Sequence, residues 1–419
     1  MTTDVIFPVP KGWRRLTVDD IKSSEKSSCA AGPFGSKISS KYFVDEGVPI
    51  IRGNNLRDDL TRFVPEGFAF VSDDQARQYG PQHVRGGDLI FTCWGTIGQV
   101  GIIPNDGPFP EYIISNKQLK LRVNTDIVEP LFCFYYLASP AGATYIRNRG
   151  IGGAIPGINL GILKAMPIAI PKREVQRGIV AVLSAYDDLI ENNRRRMALL
   201  EESARLLYQE WFVRLRFPGH EHVRVKNGIP DGWEQKPLQE ICPDLREAAH
   251  PADLEPGTPY IGLEHIPRRS ITLLEWGTVG EVTSTKIRYR AGDILFGKIR
   301  PYFHKVGFAI TDGVASSDAI VLRPIDPAYY SFSLLTVSSD WFVTIVSKTA
   351  KEGSKMPRAD WNLMETHLLA VPPLGILESL NETVRPMLDQ LRTLAFQNQK
   401  LRAARDLLLP RLMSGEVAV

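Results

Sequence analysis

Apolar positions recur along residues 179–211 in steps that alternate four and three: Ile179, Leu183, Tyr186, Ile190, Asn193, Met197, Leu200, Ala204, Leu207 and Trp211. Unbroken heptad spacing predicts a helix, here Glu174 to Arg214, whose narrow seam packs on another helix. Adding 201 to each number finds the seam again, at Leu380, Val384, Met387, Leu391, Leu394, Asn398, Leu401, Arg405, Leu408 and Leu412. Arg405 is out of character there, and Pro386 and Pro410 are places where the second helix would start, kink or end. At ~1.5 Å rise per residue each helix would reach roughly 60 Å. Two such seams in one chain most simply bury each other. The first is symmetric about residue 195, so an antiparallel pair sets Ile179 by Leu412, Leu183 by Leu408, Ile190 by Leu401, Asn193 by Asn398 and Trp211 by Leu380. Buried amides stabilise less than leucines but penalise slipped registers, where one amide would meet leucine. The bland alternative leaves both amides in water.

Ahead of each helix, short β-branched and aromatic runs alternate with Gly, Pro, Asn and Asp turns, the pattern of strands. Val48–Arg52, Asp88–Thr92, Val100–Ile103 and Gln118–Val123 read as strands, as do Tyr260–Leu263, Asp293–Phe296, Val306–Ile310 and Ala319–Arg323. Asp73–Tyr79, Glu129–Ala138 and Tyr329–Ser338 read as helices. These runs belong to a repeat. Pro10-Lys-Gly-Trp13 corresponds to Pro230-Asp-Gly-Trp233, and Gly47-Val-Pro-Ile-Ile-Arg-Gly-Asn-Asn-Leu56 to Gly257-Thr-Pro-Tyr-Ile-Gly-Leu-Glu-His-Ile266. Arg85-Gly-Gly-Asp-Leu-Ile-Phe91 corresponds to Arg290-Ala-Gly-Asp-Ile-Leu-Phe296, and Ser115-Asn-Lys-Gln-Leu-Lys-Leu-Arg122 to Ser316-Ser-Asp-Ala-Ile-Val-Leu-Arg323. A period of half the chain excludes a solenoid of short repeats. The expected fold is mixed α/β (α+β): one domain of ~150 residues, used twice, each copy followed by a long helix. The boundaries are 1–171 for the first domain, 172–216 for the central helix, 217–372 for the second domain and 373–419 for the last helix.

Composition narrows the class without naming a partner. The 419 residues are too many for one core, and no apolar run approaches the ~18 residues of a membrane span. Met1-Thr-Thr-Asp4 carries an acid where a secretory leader would be basic, and the four cysteines form no Cys-x-x-Cys pair, so a reducing cytoplasm is expected. Charge is nearly balanced: residues 1–170 carry 18 basic and 16 acidic side chains, and residues 218–371 carry 17 and 19. Any nucleic-acid contact must therefore come from local clusters or from a partner.

Catalytic motifs are missing. The sequence holds no phosphate loop, no HExxH, no Asp/Asn-Pro-Pro-Phe/Tyr and no Phe-x-Gly-x-Gly. Gly150-Ile-Gly152-Gly153 lacks the strand before it and the third glycine of a dinucleotide loop. Gly95, Gly98 and Gly101 read as a turn between strands, and His220-Glu-His222 has no companion ligands for a metal.

Basic and planar side chains on loops remain. In the first domain they are Arg52, Asn54, Asn55 and Arg57, then Trp94 and Thr96, Lys117 and Gln118, Arg147 and Arg149. In the second they are Arg268, Arg269, Lys286, Arg288, Lys298, Arg300, Tyr302, His304, Lys351, Lys355 and Arg358. Arg and Lys can read guanine and Asn and Gln adenine in the major groove, while basic neighbours hold phosphates. Taken singly, each reads as solvated surface charge. Recurrence at matched places in both halves favours a shared binding surface.

With the Gly-Trp openings, Gly87-Asp88-Leu-Ile, Gly95-Thr-Ile-Gly98, Gly152-Gly-Ala-Ile-Pro-Gly-Ile158, Met166-Pro-Ile-Ala-Ile-Pro171, Lys355-Met-Pro-Arg358 and Leu409-Pro-Arg-Leu-Met-Ser-Gly-Glu416, the chain resembles the specificity subunit of a type I restriction-modification system. The order and duplication of the motifs carry the resemblance more than any one of them. It implies a non-catalytic reader of double-stranded DNA with no cofactor or metal of its own. Each domain would be a target recognition domain for half of a bipartite sequence. The two helices, an antiparallel coiled coil with a pseudo-two-fold, would fix the spacer. Two methyltransferase subunits would dock on the helices, bringing S-adenosylmethionine and adenine methylation, and restriction/translocase subunits would join them. The family's Pro-Leu-x-Glu-Gln approach to the helix reads Pro171-Lys-Arg-Glu-Val-Gln176 here and Pro372-Pro-Leu-Gly-Ile-Leu377 in the second copy, which leaves the helix starts open. Two other readings are a coiled-coil scaffold without DNA readout and the reader half of a fused restriction-methylation enzyme. The first does not explain the loop-decorated domains, and the missing cofactor loop argues against the second.

Overall fold

The computed structural model describes residues 5–153, 155–281, 284–350 and 356–419. The acidic N-terminal residues 1–4, Lys351 and Lys355 lie outside them. The chain divides into two compact units, Met1–Ile190 with Lys400–Val419, and Glu191–Gln399. The division cuts both long helices, so each unit holds one globular domain and a piece of each helix.

In the first unit, Gly12 takes a left-handed turn (φ 86°) and Trp13 leads into the strand Arg14–Thr17. That strand pairs antiparallel with Pro167–Ile170, so the Gly-Trp opening and the apolar Met-Pro-Ile-Ala-Ile-Pro run close the domain together. One sheet orders Cys29–Ala31, Gln118–Leu121, Leu89–Thr92 and Val100–Ile102, all antiparallel. A second, mixed sheet orders Phe43–Val44, Ala69–Val71, Val48–Ile51, Tyr112–Ile114 and His83–Val84. The strands stop a residue or two short of the apolar runs for local reasons. Asn55 Oδ1 accepts from Arg52 N at 2.9 Å and caps the 3-10 turn Gly53–Asn55, which ends the strand at Ile51.

The second unit repeats this plan. Glu234–Pro237 pairs with Leu368–Val371, and two five-stranded sheets are built around Ile294–Gly297 and Gly313–Ala315. His265 Nδ1 accepts from Gly262 N at 3.0 Å, taking the place that Asn55 holds in the first unit. The Arg-x-Gly-Asp blocks now have a reason. Asp88 accepts Arg85 N at 3.0 Å and both Nε and Nη2 of Arg122 at 2.7 Å. Asp293 does the same for Arg290 N and for the Arg323 fork, at 2.6–2.7 Å. A buried carboxylate thus ties a turn to the end of the neighbouring strand in both units, and its hydrogen bonds raise Arg122 and Arg323 above the usual arginine range.

Helices Pro130–Ala138 and Tyr330–Val337 fall where the pattern placed them, but Pro140–Arg147 and Asp340–Thr349 were not anticipated. Their caps were in view: Ser139 Oγ accepts from Gly142 N at 3.0 Å and Ser339 Oγ from Phe342 N at 3.1 Å.

The long helices span Arg173–Tyr208 and Leu374–Met413; the first continues as a π-turn over Gln209–Val213, and neither Pro386 nor Pro410 ends the second. In the first unit Ile179 and Leu183 share a core with Leu409, Leu412 and Met413, with Leu408 at its margin; Ile190 is buried and Leu401 half-buried. In the second, Met197, Ala204 and Tyr208 share a core with Leu380, Val384, Leu388, Leu391 and Leu394, with Leu200, Leu207 and Trp211 at its margin. Asp187 meets Arg405 at 2.7 Å and Asn193 meets Asn398 at 2.9 Å, so partner numbers fall along one helix as they rise along the other. The buried stripe also takes in Asp187 and Glu201, off the heptad seam, because each helix faces a globular domain as well as its partner helix.

Candidate nucleic-acid interface

One hydrogen-bond skeleton recurs at the same edge of both domains. In the first unit Cys93 N donates to Lys117 O (2.8 Å), Gly95 N to Pro156 O (3.1 Å) and Ile158 N to Cys93 O (2.9 Å). In the second Lys298 N donates to Asp318 O (3.0 Å), Arg300 N to Pro357 O (2.7 Å) and Ala359 N to Lys298 O (2.8 Å). Three loops are thereby laced together in each unit. Their backbones match and their side chains do not.

In the first unit the laced edge displays Trp94, Thr96, Lys117 and Arg147, all exposed. Trp94 is 46 % exposed, and its ring lies against Gly157, where a Cβ would come within 2.5 Å of Cε3 and Cζ3. The guanidinium of Arg149 stacks on Tyr145, 3.5 Å from the ring centroid. Ile151 and Ile155, which lie outside the basic and planar set, are exposed on the same loop. Large apolar side chains left in water beside a tryptophan were the signal that could have found them.

In the second unit the edge displays Tyr302, Met356 and Arg358, while Ile299, in the place of Trp94, is buried. Arg358 pairs with Asp318 at 3.2 Å. Arg300 is half-buried with a left-handed backbone (φ 49°), and Lys298 is half-buried. Arg268 stacks over Phe303 at 3.9 Å, and Arg269 pairs with Asp340 at 2.9 Å. Arg288, exposed, sits on another strand near Glu247.

Four candidates are placed inside the fold. Asn55 is fully buried, its amide donating to Val64 O and Glu66 O at 3.0 and 2.8 Å. Gln118 is fully buried and accepts from Ser115 Oγ. Lys286 is buried and gives its ammonium to Ser284 O and Oγ at 2.9 and 2.6 Å. His304 is buried against Ser338 O at 2.7 Å, and burial lowers its pKa below the usual imidazole value. Each holds its own loop, for the general reason that a buried polar group must find a partner. Arg52 is half-buried and donates to Gly67 O at 2.9 Å, while Asn54 and Arg57 are exposed beside it.

Among the described residues no group of three or more His, Cys, Asp or Glu side chains is arranged to hold a metal, and no helix is long and apolar enough to cross a membrane.

Residues 10–202 match the family model for the type I restriction modification DNA specificity domain. Over 99 % of its length the chain is 23 % identical to the type I restriction enzyme MjaIX specificity subunit of Methanocaldococcus jannaschii, covering 95 % of that protein. Along nearly its whole length the chain is thus similar to the specificity subunits of type I restriction-modification systems. The EcoDI specificity subunit of Escherichia coli is 22 % identical over 68 % of this chain and 71 % of its own. The fold matches the crystal structure of a type I restriction-modification S subunit from M. genitalium, with a TM-score of 0.57, 15 % identity and 96 % of each chain covered.

Proposed function

We propose that this chain is a non-catalytic type I specificity subunit that reads double-stranded DNA through its two globular domains, 1–171 and 217–372, each recognising one half of a bipartite target. The observation that carries the reading is the laced edge: one backbone skeleton, used twice, carrying Trp94, Lys117 and Arg147 in one domain and Tyr302, Arg358 and Arg268 in the other. Identical scaffolds with unlike side chains are what two half-sites of unlike sequence require, with planar and basic groups divided between base edges and phosphates. Arg52, Asn54, Arg57, Thr96, Arg149, Arg269, Arg288, Lys298 and Arg300 border these edges as backbone contacts. Lys351 and Lys355 belong to the same proposal by sequence alone.

The helices 172–216 and 373–419 act as an antiparallel, pseudo-symmetric coiled coil that fixes the spacer and docks two methyltransferase subunits, to which restriction subunits add, in the cytoplasm. The near-neutral charge of the chain fits a clamp whose phosphate contacts are shared with those partners. The test is modification mapping of adenines in cells carrying this chain with its methyltransferase, against cells lacking the chain. A split motif that disappears with the chain is the expected result. No dependent methylation, with both proteins made and associated, would leave a scaffold without readout.

A further inference from the structure

A second loop is matched between the units, and it faces the long helices. In the first unit Ile102 N donates to Arg62 O, and in the second Phe308 N donates to Ile271 O, both at 2.8 Å. Two residues upstream of each acceptor stands a non-glycine residue with left-handed backbone: Leu60 (φ 63°) and Arg269 (φ 60°). Such a conformation is unfavourable for an L-residue and persists where surroundings hold it.

What holds it comes from the helices in both cases. Beside Leu60, the buried Arg405 donates Nη2 to Asp59 O at 3.0 Å and Nη1 to Asp187 Oδ1 at 2.7 Å. The loop answers with Arg62, whose Nη1 reaches Asp188 at 2.9 Å and whose Nη2 reaches Tyr135 Oη at 3.1 Å. Tyr135 in turn donates to Asp187 Oδ2 at 2.6 Å. In the second unit Arg205 donates to Arg269 O itself. The buried carboxylate of Glu201 accepts from Ser270 Oγ (2.8 Å), Ile271 N (3.2 Å), Thr272 N (3.2 Å) and Thr272 Oγ1 (2.7 Å). Arg405 less the repeat offset of 201 is position 204, one residue from Arg205. Each domain is therefore gripped at one loop by an arginine from the same stretch of a long helix, with carboxylates completing the grip.

A surface ion pair would add little, but Asp187, Glu201 and Arg405 are buried, so each loop is favoured in the geometry that meets their hydrogen bonds. We infer that these two loops are the fasteners that hold each recognition domain at a fixed orientation on the helices, and that Glu201, Arg205, Asp187 and Arg405 are positioning residues for spacer discrimination. The inference rests on the reading of the chain as a bipartite DNA reader. Loosening a fastener lets a domain rock on the helices without changing which bases its own edge meets. Spacing then blurs while half-sites persist.

The experiment is adenine-methylation mapping with the full-length subunit and its methyltransferase, comparing wild type with Glu201→Ala, Glu201→Gln, Ser270→Ala and Arg405→Met. Glu201→Ala should keep both half-site sequences and raise methylation at targets with one base pair more or less by about tenfold, the effect of losing a buried hydrogen-bond set. Glu201→Gln, which keeps an acceptor oxygen, should recover most of the discrimination, and Ser270→Ala should relax it slightly. Unchanged spacing in Glu201→Ala and Arg405→Met, with only a lower unfolding midpoint, would reduce the fasteners to stabilisers and overturn the inference. Should Glu201→Ala not fold, Ser270→Ala decides, because the carboxylate there keeps three of its four loop donors. Absence of any split motif with the wild-type chain would sink the reader proposal itself, and the fasteners with it.

Discussion

The side-chain amide of Asn193 donates through Nδ2 to Oδ1 of Asn398 across 2.9 Å, and both residues are buried between the two long helices. The neighbouring register positions are apolar: Met197 and Leu394 on one side, Ile190 and Leu401 on the other. Replacing one amide with leucine removes this hydrogen bond and buries the other amide against an apolar side chain, at a cost of about 1–3 kcal/mol. Replacing both should recover that loss, since a leucine pair packs well there. Thermal unfolding of Asn193→Leu, Asn398→Leu and the double variant checks this; a double variant as unstable as the sum of the singles would show that the amides do not act as a pair.

That pairing was legible because a heptad seam and a repeat offset are both properties of spacing, and spacing survives when side chains diverge. The same holds for the Arg-x-Gly-Asp turns, whose buried Asp88 and Asp293 serve both copies identically. Loop chemistry was less legible. Asn55 and Arg57 are two residues apart in one polar run, yet one is fully buried and the other exposed, and sequence polarity does not distinguish them. Asp187 and Glu201 stand off the seam, and only the folded domains supply the Tyr135, Ser270 and Thr272 groups that make their burial tolerable.

Arg405, the misfit of the second seam, is explained by Asp187. Removing the carboxylate with Asp187→Ala takes away the buried one of two counter-charges on Arg405, Asp406 at 2.9 Å remaining, and should cost about 2–3 kcal/mol, below the range for a buried charge left wholly unpaired. In the second unit the corresponding pair is Leu388 with Ala204, both buried in an apolar core. Asp187→Leu with Arg405→Ala installs that arrangement and should recover a large part of the loss, less what Tyr135 and Arg62 forfeit. Denaturant midpoints of the single and double variants measure it. A double variant no more stable than Asp187→Ala would contradict the comparison.

Trp94 offers a local test of the laced edge. Gly157→Ala places a methyl group 2.5 Å from the Trp94 ring and must displace it, while the surrounding backbone bonds remain available. Both Gly157→Ala and Trp94→Ala should lower methylation at the native target by tenfold or more, in keeping with ~1–3 kcal/mol for one base contact. Their unfolding midpoints should stay near wild type for Trp94→Ala, whose ring is 46 % exposed. Full methylation by Trp94→Ala would remove this residue from the interface.

The thiols should be quiet. Burial pushes Cys29 and Cys93 up to about 11 and Cys242 up to about 12, and raises the fully buried Cys133 further still. Thiolate is the reactive species, so near pH 8 the folded chain should resist iodoacetamide and all four thiols should react after denaturation. Rapid labelling of one cysteine by intact-mass measurement would show that its site opens.

The helix pair can be shortened without disturbing its register, because Asn193 faces Asn398 and the seam steps away from that pair in opposite directions along the two helices, so equal deletions around it keep the remaining partners aligned. Deleting 191–197 together with 394–400 removes one heptad from each helix, takes both asparagines out as a pair, and leaves the fasteners at Asp187, Arg405, Glu201 and Arg205 untouched. Seven helical residues span ~10 Å, or roughly three base pairs of duplex. The expected outcome in methylation mapping is the same two half-sites with a spacer shortened by about three base pairs, accompanied by a rotation of one half-site about the DNA axis that lowers overall efficiency. A changed half-site sequence would mean that readout and spacing are not separable in this chain, since nothing deleted lies on either laced edge.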